Sequence, residues 1–531
     1  MSNKEKKKGI KNLKFGYLYS LICGIIVIIC MTLSSNFQYA KKVTFELDNW
    51  IIFLCGIAFY VLVFLISKVT QKITPKKLNI IMLIVSCLFA VLLFFVARSY
   101  SFTTDWDVRK ILKNAEMIAL GNKDRLENKY YSIYPNNILL TQLFSVAYKI
   151  ADITKIGEGY DYLLAYQCAL YAFTGYFVYK ICTCIHNDNN MPIMVWLIYI
   201  ILIGFSPWVI IPYSDATALF IVTLIAYCYS KLFQIPNGKK KKIYFSMMIF
   251  FSILGYYIKP QIVIFLIAVC IVFIFTRKKE IMNIKNIKNI KKYKDFIAIL
   301  FITIVITVSS INIIKGMSGI NIDKEKKFGI SHFLMMGWNT DYGGVYADED
   351  IWFSKSFDAN TERRKANIET FKSRIKEMGV SGVKNLAIRK TLTNYNDGTF
   401  AFGQEGEFFL KEYKTGNKNF RKLFNNIYKP SGKYYSTFQL VMQIVWMGTL
   451  IFNILAINRE NDEKIYTMQL SIIGLTIFET MFEARARYLF AYVPIYIILA
   501  STGFNNIYVL VKKAIRGKNK NESFTCNTNV L

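Results

Sequence analysis

Histidine is almost missing from this chain: its 531 residues include two, His186 and His332. Any general acid or base it uses is therefore most simply a carboxylate. Neither Gly-x-Gly-x-x-Gly nor the Gly-x4-Gly-Lys-Ser/Thr loop occurs, so nothing points to a nucleotide-binding domain or a nucleotide cofactor. The ten cysteines lie almost all within or beside apolar runs, and the one large polar stretch has none, which argues against a disulfide framework. Cys182, Cys184 and His186 are close in sequence, but their spacing is poor for a structural zinc site and packing at a helix end accounts for them. Acidic residues are also scarce, 35 against 66 Lys and Arg, for a net charge of +31. The cations sit mostly in short loops between apolar runs, so they report topology and contact with anionic lipid rather than a nucleic-acid partner.

What the chain has in abundance is apolar sequence. It is 54% hydrophobic, in runs of about 17 to 25 residues, long enough to span a bilayer as helices. This composition predicts an all-α, multi-pass protein of the cell membrane. The first run, 17–33, follows a basic stretch but is too long for a signal-peptide core, and further spans follow it, so it reads as a retained helix.

Lys and Arg favour the cytoplasmic side of short loops, which signs each loop in turn. The basic stretches 4–14, 68–77, 238–242, 277–294 and 512–520, with 458–464, fall inside, and both termini are expected to be cytoplasmic. Residues 97–136, Asp215, Lys259, a polar segment 315–436 and residues 483–487 then fall outside. Three apolar stretches, 137–151, 162–185 and 191–211, separate the outer Asp107 from the outer Asp215, where the signs allow an even number of crossings. One must fail to cross. Ser206-Pro207-Trp208 and Pro212 make 191–211 the expected re-entrant stretch. The total becomes about 12 crossings. The expected divisions are 1–314, a transmembrane module with a catalytic first outer loop at 97–136; 315–436, an α or α+β extracytoplasmic segment; 437–512, C-terminal transmembrane helices; and 513–531, a cytoplasmic tail.

The unusual polar groups at span ends gather on that outer side: Asp105, Asp107, Asp215, Lys259, Glu483, Arg485 and Arg487. Ionisable groups at membrane depth are costly, so a one-sided set suggests a shared cavity. Singly, each has a plainer reading. Lys259 and Arg487 suit headgroup anchors, Asp215 a cap for the helix starting at Ala216, and Glu483 with Arg487 an ordinary helical ion pair. Asp105 and Asp107, in Ser101-Phe-Thr-Thr-Asp-Trp-Asp-Val-Arg109, carry the most chemistry. On extended or irregular backbone two carboxylates one residue apart can share a cation or a hydroxyl. The plainer alternative is a solvated loop in which Asp107 caps a helix from Val108. Trp106 suits either a sugar face or an interfacial anchor.

An outer Asp-x-Asp pair, an amphipathic stretch at 108–120, Tyr134-Pro135-Asn136, then Ser206-Pro207 and Tyr213-Ser-Asp215 together resemble the integral-membrane glycosyltransferases of the GT-C fold. The likeness is nearest to the protein O-mannosyltransferase and aminoarabinose transferase branch, glycosyltransferase family 39-like, of Gram-positive bacteria. Met335-Met-Gly-Trp-Asn339, Gly343-Gly-Val-Tyr346, Asp348-Glu-Asp350, Asn396-Asp-Gly-Thr-Phe400 and Glu483-Ala-Arg-Ala-Arg-Tyr488-Leu489 are similar to that group. One departure is Tyr134-Pro135-Asn136 where aminoarabinose transferases usually have Lys-Pro-Pro. The phosphate-binding lysine of that position is missing, and Lys259 beside Pro260 is a substitute.

The resemblance implies transfer of a sugar from a polyprenyl-phosphate carrier, outside the cytoplasm and with inversion, to a hydroxyl of an envelope glycan, lipid or protein. Asp105 or Asp107 would be the base, and the other would hold a divalent cation (magnesium or manganese) or orient the acceptor. Lys259, Arg485 and Arg487 would stabilise the leaving phosphate, and Trp106, Tyr134, Tyr213, Asp215 and Glu483 would line the substrate site. The carboxylates Asp341, Asp348, Glu349 and Asp350 read as a solvated run. Three rivals are a lipid-linked glycan polymerase or ligase, whose outer loop would arrange several arginines, a transporter or flippase of lipid-linked sugars, which would carry ionisable groups at mid-span, and a non-catalytic scaffold, which the paired aspartates argue against. Arg363, Arg364 and Arg374 read as a helical surface, and neither mid-span charges nor internal repeats stand out.

Overall fold

The computed structural model describes residues 15–36, 43–277, 287–403, 411–412, 416–458 and 462–526. The basic stretch 4–14, most of the Asn-Ile-Lys segment within 277–294 and part of 458–464 lie outside the described residues. Among the described residues six helical stretches are long and apolar enough to cross a membrane: Phe15–Leu33, Asn49–Lys72, Pro75–Tyr100, Lys294–Met317, Tyr435–Ile454 and Ala486–Ile515. Most of the described chain is helical. The exception in regular structure is a two-residue antiparallel pairing of β1 (Phe102–Thr103) with β2 (Lys411–Glu412), in register Phe102↔Glu412.

Helices α1 (Phe15–Leu33), α2 (Asn49–Ser67) and α3 (Pro75–Tyr100) are unbroken apolar runs whose starts are set locally. Asp48 accepts from the Trp50 N–H (2.8 Å) to cap α2, and Pro75 opens α3 where its missing N–H is harmless. Leu54, Leu62, Leu88 and Phe95 stay exposed along these helices, as lipid-facing side chains do, while polar side chains turn inward and bond one another. Tyr60 Oη donates to Thr449 Oγ1 (2.9 Å), and Tyr19 donates to Asn453. Gly56 of α2 meets Gly448 of α17 (Tyr435–Ile454) backbone to backbone, since a Cβ at Gly56 would lie 2.7 Å from the Gly448 nitrogen.

After β1 come α4 (Trp106–Ala119), the short α5 (Asn128–Ile133) and α6 (Asn137–Thr154), then α7 (Gly159–Cys182) and α8 (Asn190–Tyr199), which continues through a π turn at Ile200–Gly204. Helix α7 runs antiparallel to α3: Asp161 at its start pairs with Arg98 at the end of α3 (3.0 Å), and Lys180 near its end bonds Asn79 near the start of α3 (2.9 Å). Helix α8 returns, with Asn189 on the Ile73 carbonyl (2.7 Å).

Helix α6 does neither. Its first residue, Asn137, bonds Tyr130 (2.6 Å), and near its end Tyr148 lies against Gly159, so both ends stay at the end of the bundle that carries α4. The stretch that fails to pass through the bundle is therefore 137–154, and the expectation that it would be 191–211 is corrected. The physical reason is the amphipathic pattern of α6. Val146, Ile150 and Ile153 form an exposed apolar stripe while the opposite face packs on α4, a pattern suited to lying along an interface. The Ser206-Pro207 break ends α8 in a 3-10 turn without turning it back.

Helices α9 (Ser214–Lys231), α10 (Lys239–Ile258), α11 (Val263–Thr276) and α12 (Ile287–Met317) follow, then the 315–436 segment, built on α13 (Ile330–Gly337), α14 (Asp348–Lys355), α15 (Asn360–Tyr395) and α16 (Lys418–Tyr428). Gly379, at φ 58°, kinks α15. Arg363 is not on a helical surface, contrary to expectation. It is buried, and its guanidinium donates to the carbonyls of Ser354 (2.7 Å), Glu325 (2.5 Å) and Phe357. Asp350 is buried too and pairs with Arg374 at 2.6 Å, so it does not belong to a solvated acidic run. The chain closes with α17, α18 (Glu463–Met481), the one-turn α19 (Ala486–Leu489) and α20 (Val493–Cys526).

His332 gives the 315–436 segment a pH dependence. Ser354 Oγ donates to Asn367 Oδ1 (3.1 Å), so the His332 Nδ1 proton faces Ser354 (2.7 Å) while the buried Nε2 has no hydrogen-bond partner. Burial holds the imidazole neutral, with its pKa lowered to about 4. The unfolded segment takes up that proton first, so stability present above the ordinary value of 6.5 falls as pH drops from there toward 4. The loss is on the order of 3 kcal/mol. Limited proteolysis between pH 7 and 4.5 will show 315–436 becoming cleavable, and His332→Gln will flatten that dependence. An unchanged dependence in the variant would remove His332 as its source.

Candidate functional site

The end of the bundle that carries α4 gathers the charged residues singled out in the sequence. Asp105 immediately precedes α4, and Asp107 lies inside its first turn rather than on extended backbone, which corrects the premise on which the pair was read as a shared clamp. Trp106 joins them with φ 50°, a left-handed conformation uncommon outside glycine. The two carboxylates have different neighbours. Asp105 is largely exposed and lies 3.8 Å from Arg109, while Asp107 accepts from Tyr213 Oη at 3.1 Å. Tyr213 sits at the start of α9, where the Pro212 break ends the preceding turn, and its ring meets Trp106 edge-on at 5.6 Å.

In the first turn of the same helix is Asp215, which does not cap it because the helix begins at Ser214. Its Oδ1 accepts from Lys259 Nζ at 2.5 Å, and its Oδ2 lies 3.9 Å from an Arg487 nitrogen. All three side chains are at most 10% exposed. Lys259 reaches in from the end of α10, where Pro260 ends the helix, and Arg487 from α19. The Arg487 guanidinium carbon is 4.6 Å from the Trp106 ring centre, 5.4 Å from Tyr213, 5.7 Å from Trp208 and 5.9 Å from Tyr488. Aromatic faces of this kind hold a planar cation in a water-poor setting without neutralising it.

Glu483 pairs with Arg485 (2.6 Å) and accepts from Tyr488 Oη (3.2 Å), rather than pairing with Arg487 along a helix, because α19 starts only at Ala486. Arg485 in turn lies 5.8 Å from the Tyr346 ring. This brings the 315–436 segment over the site, where the Ala484 N–H donates to the Gly344 carbonyl (2.8 Å). Lys390 of α15 fastens the same junction. Its Nζ donates to the carbonyls of Gly337 (3.0 Å), Thr480 (2.7 Å) and Phe482 (2.6 Å), the last two at the end of α18. Burial lowers its pKa to about 8. Tyr134 ends α5 against Tyr130 and Phe328, and burial, with Asp107 nearby, raises its phenol above the ordinary value.

The family model described as "Conserved hypothetical integral membrane protein" matches residues 5–508. The chain belongs to this family of integral membrane proteins. No curated protein and no solved structure matches it. Membership in the family agrees with the six long apolar helices among the described residues. Cys184 Sγ donates to Gln234 (3.3 Å) and His186 faces Ser501 (3.3 Å), contacts that pack a helix end.

Trp208, Tyr488, Tyr130 and Lys390 belong to this site or its closure although sequence reasoning gave them no role in it. Trp208 and Tyr488 lay inside quoted motifs, and their aromatic character beside a charged neighbour was the available signal. Asp105 and Asp107 are hard oxygen donors of the type magnesium or manganese takes, with water and a phosphate completing the shell. Among the described residues no three His, Cys, Asp or Glu side chains gather in one place, and Asp105 and Asp107 face different neighbours, so such an ion would be held by one of them singly.

A buried ion cluster is fragile when one member is removed. Asp215→Asn leaves Lys259 and Arg487 without their anion and is expected to cost about 3–5 kcal/mol in thermal unfolding of the detergent-solubilised protein. Adding Lys259→Met will recover part of that loss. Strict additivity of the two changes would show that the pair is not coupled.

Proposed function

We propose that the chain is a GT-C-like glycosyltransferase, moving a sugar from a polyprenyl-phosphate carrier to an envelope hydroxyl at the outer face of the cell membrane. The observation that carries this reading is Arg487, held among four aromatic rings beside Asp215 and Lys259 and one hydrogen bond from Asp107 through Tyr213. A lipid-linked donor keeps its isoprenoid in the bilayer and its phosphate at the interface. Lys259, Arg485 and Arg487, set among the carboxylates Asp215, Glu479 and Glu483, are the cations that suit that phosphate.

On this reading the six long helices together with α7, α8 with its π turn, α9, α10, α11 and α18 make about 12 crossings. Both termini then lie in the cytoplasm and the charged end faces outward. The acceptor hydroxyl loses its proton to Asp105 or Asp107 as its oxygen bonds the anomeric carbon from the side opposite the phosphate. The bond between that carbon and the phosphate oxygen breaks, and its electron pair leaves with the phosphate, whose growing charge Lys259 and Arg487 stabilise. The product has inverted configuration. A magnesium or manganese ion, when bound at one of the aspartates, would add further charge stabilisation to the phosphate. No step here depends on it.

Mass-spectrometric sugar analysis of the envelope tests this. A deletion strain will lack one sugar substituent. Wild type will restore it, whereas Asp105→Asn with Asp107→Asn, at matched protein level, will restore less than about one hundredth, as expected when a general base is lost. Equal restoration by the double variant would contradict a catalytic role for these carboxylates.

A further inference from the structure

A cavity of about 420 Å³ opens beside the charged cluster, on the face of α4 that carries Arg109, Leu112 and Lys113. Its remaining wall includes Thr104, Tyr148 of α6 and Tyr160 of α7. Nothing in the reading above uses it. We infer that this cavity is the acceptor subsite, and that it takes an uncharged glycan residue whose hydroxyl is presented to Asp105. The inference rests on the glycosyltransferase reading and deepens it.

Three observations carry it. First, the volume accommodates one or two sugar rings, within the ordinary range of ligand pockets. Second, Thr104 lines the cavity and is buried, yet its Oγ1 has no hydrogen-bond partner. Buried hydroxyls are rarely left so, and a ligand hydroxyl would satisfy it. Third, the lining mixes Tyr148 and Tyr160, whose rings suit the apolar faces of a pyranose, with Arg109, Lys113 and Glu116, whose planar or multiple polar groups suit its hydroxyls.

The charges nearly balance, because Arg109 lies 3.8 Å from Asp105 and Lys113 lies 3.5 Å from Glu127. Both pairs are long and more than half of each cation is exposed, so they yield readily to a ligand. A balanced wall favours a neutral glycan over a polyanion. The same geometry divides the two aspartates. Asp107 is committed to Tyr213 and the donor side, while Asp105, bound to the cavity through Arg109, is free to take the acceptor proton as the glycosidic bond forms and the phosphate leaves.

The test uses full-length protein in membranes of the deletion strain, supplied with undecaprenyl phosphate carrying the radiolabelled sugar that the envelope analysis identifies. Thr104→Val removes the hydroxyl at nearly constant volume, and Leu112→Trp fills the cavity. Each is expected to lower the rate of transfer to the envelope acceptor at least about tenfold while leaving half-saturation by the donor within about twofold. Using both variants guards against one that fails to fold. Transfer at the wild-type rate in both would overturn the inference, as would a donor half-saturation raised about tenfold at unchanged maximal rate, which would move the cavity to the donor side. Failure of wild type to transfer any sugar would instead overturn the glycosyltransferase reading beneath it.

Discussion

Asp215 holds two buried cations from distant parts of the chain, and the geometry of the charged end follows from that contact. Lys259 enters from the end of α10 and Arg487 from α19, so one carboxylate ties α9, α10 and the loop before α20 to a single point. Removing charges from water is expensive, and such a cluster adds less to stability than the attraction alone suggests. Its value lies in position. The aromatic rings of Trp106, Trp208, Tyr213 and Tyr488 surround the Arg487 guanidinium, a low-polarity setting in which its charge acts more strongly than it would in water.

From that point the arrangement extends in two directions. Tyr213 links the cluster to Asp107, and Asp105 lies one residue beyond a left-handed Trp106 that turns the two carboxylates to different neighbours. On the other side Glu483, Arg485 and Tyr346 carry the site to the 315–436 segment, which Lys390 fastens to the carbonyls at the end of α18. A segment held by two carbonyls at the end of α18 and a backbone bond from Ala484 to Gly344 is a cover tied to the helix it closes over, not a loosely hung domain.

Much of this was legible in the sequence, for reasons that also explain what was not. Loop charge and apolar length carry the membrane class, and the one-sided distribution of Asp215, Lys259 and Arg487 points to a shared site. Their pairing was not legible, because Asp215 and Lys259 are 44 positions apart and each has an ordinary local role as a cap or an anchor. The motif marks the aspartate pair but not its backbone, since α4 begins at Trp106 and no sequence pattern signals a positive φ at a tryptophan. The stretch that does not pass through the bundle was sought at its prolines. The better signal was the spacing of Val146, Ile150 and Ile153, which leaves an apolar stripe outside the packed core. Arg363 looked like surface because nothing in the sequence shows that three carbonyls await it.

The most direct test of the central claim is thermal unfolding of the purified protein with undecaprenyl phosphate against the uncharged polyprenol of the same length. A site built around Arg487 and Lys259 for a lipid-borne phosphate predicts that the phosphate raises the unfolding midpoint, that the alcohol does not, and that Arg487→Gln abolishes the difference. Equal effects of the two lipids on the wild-type protein would contradict it.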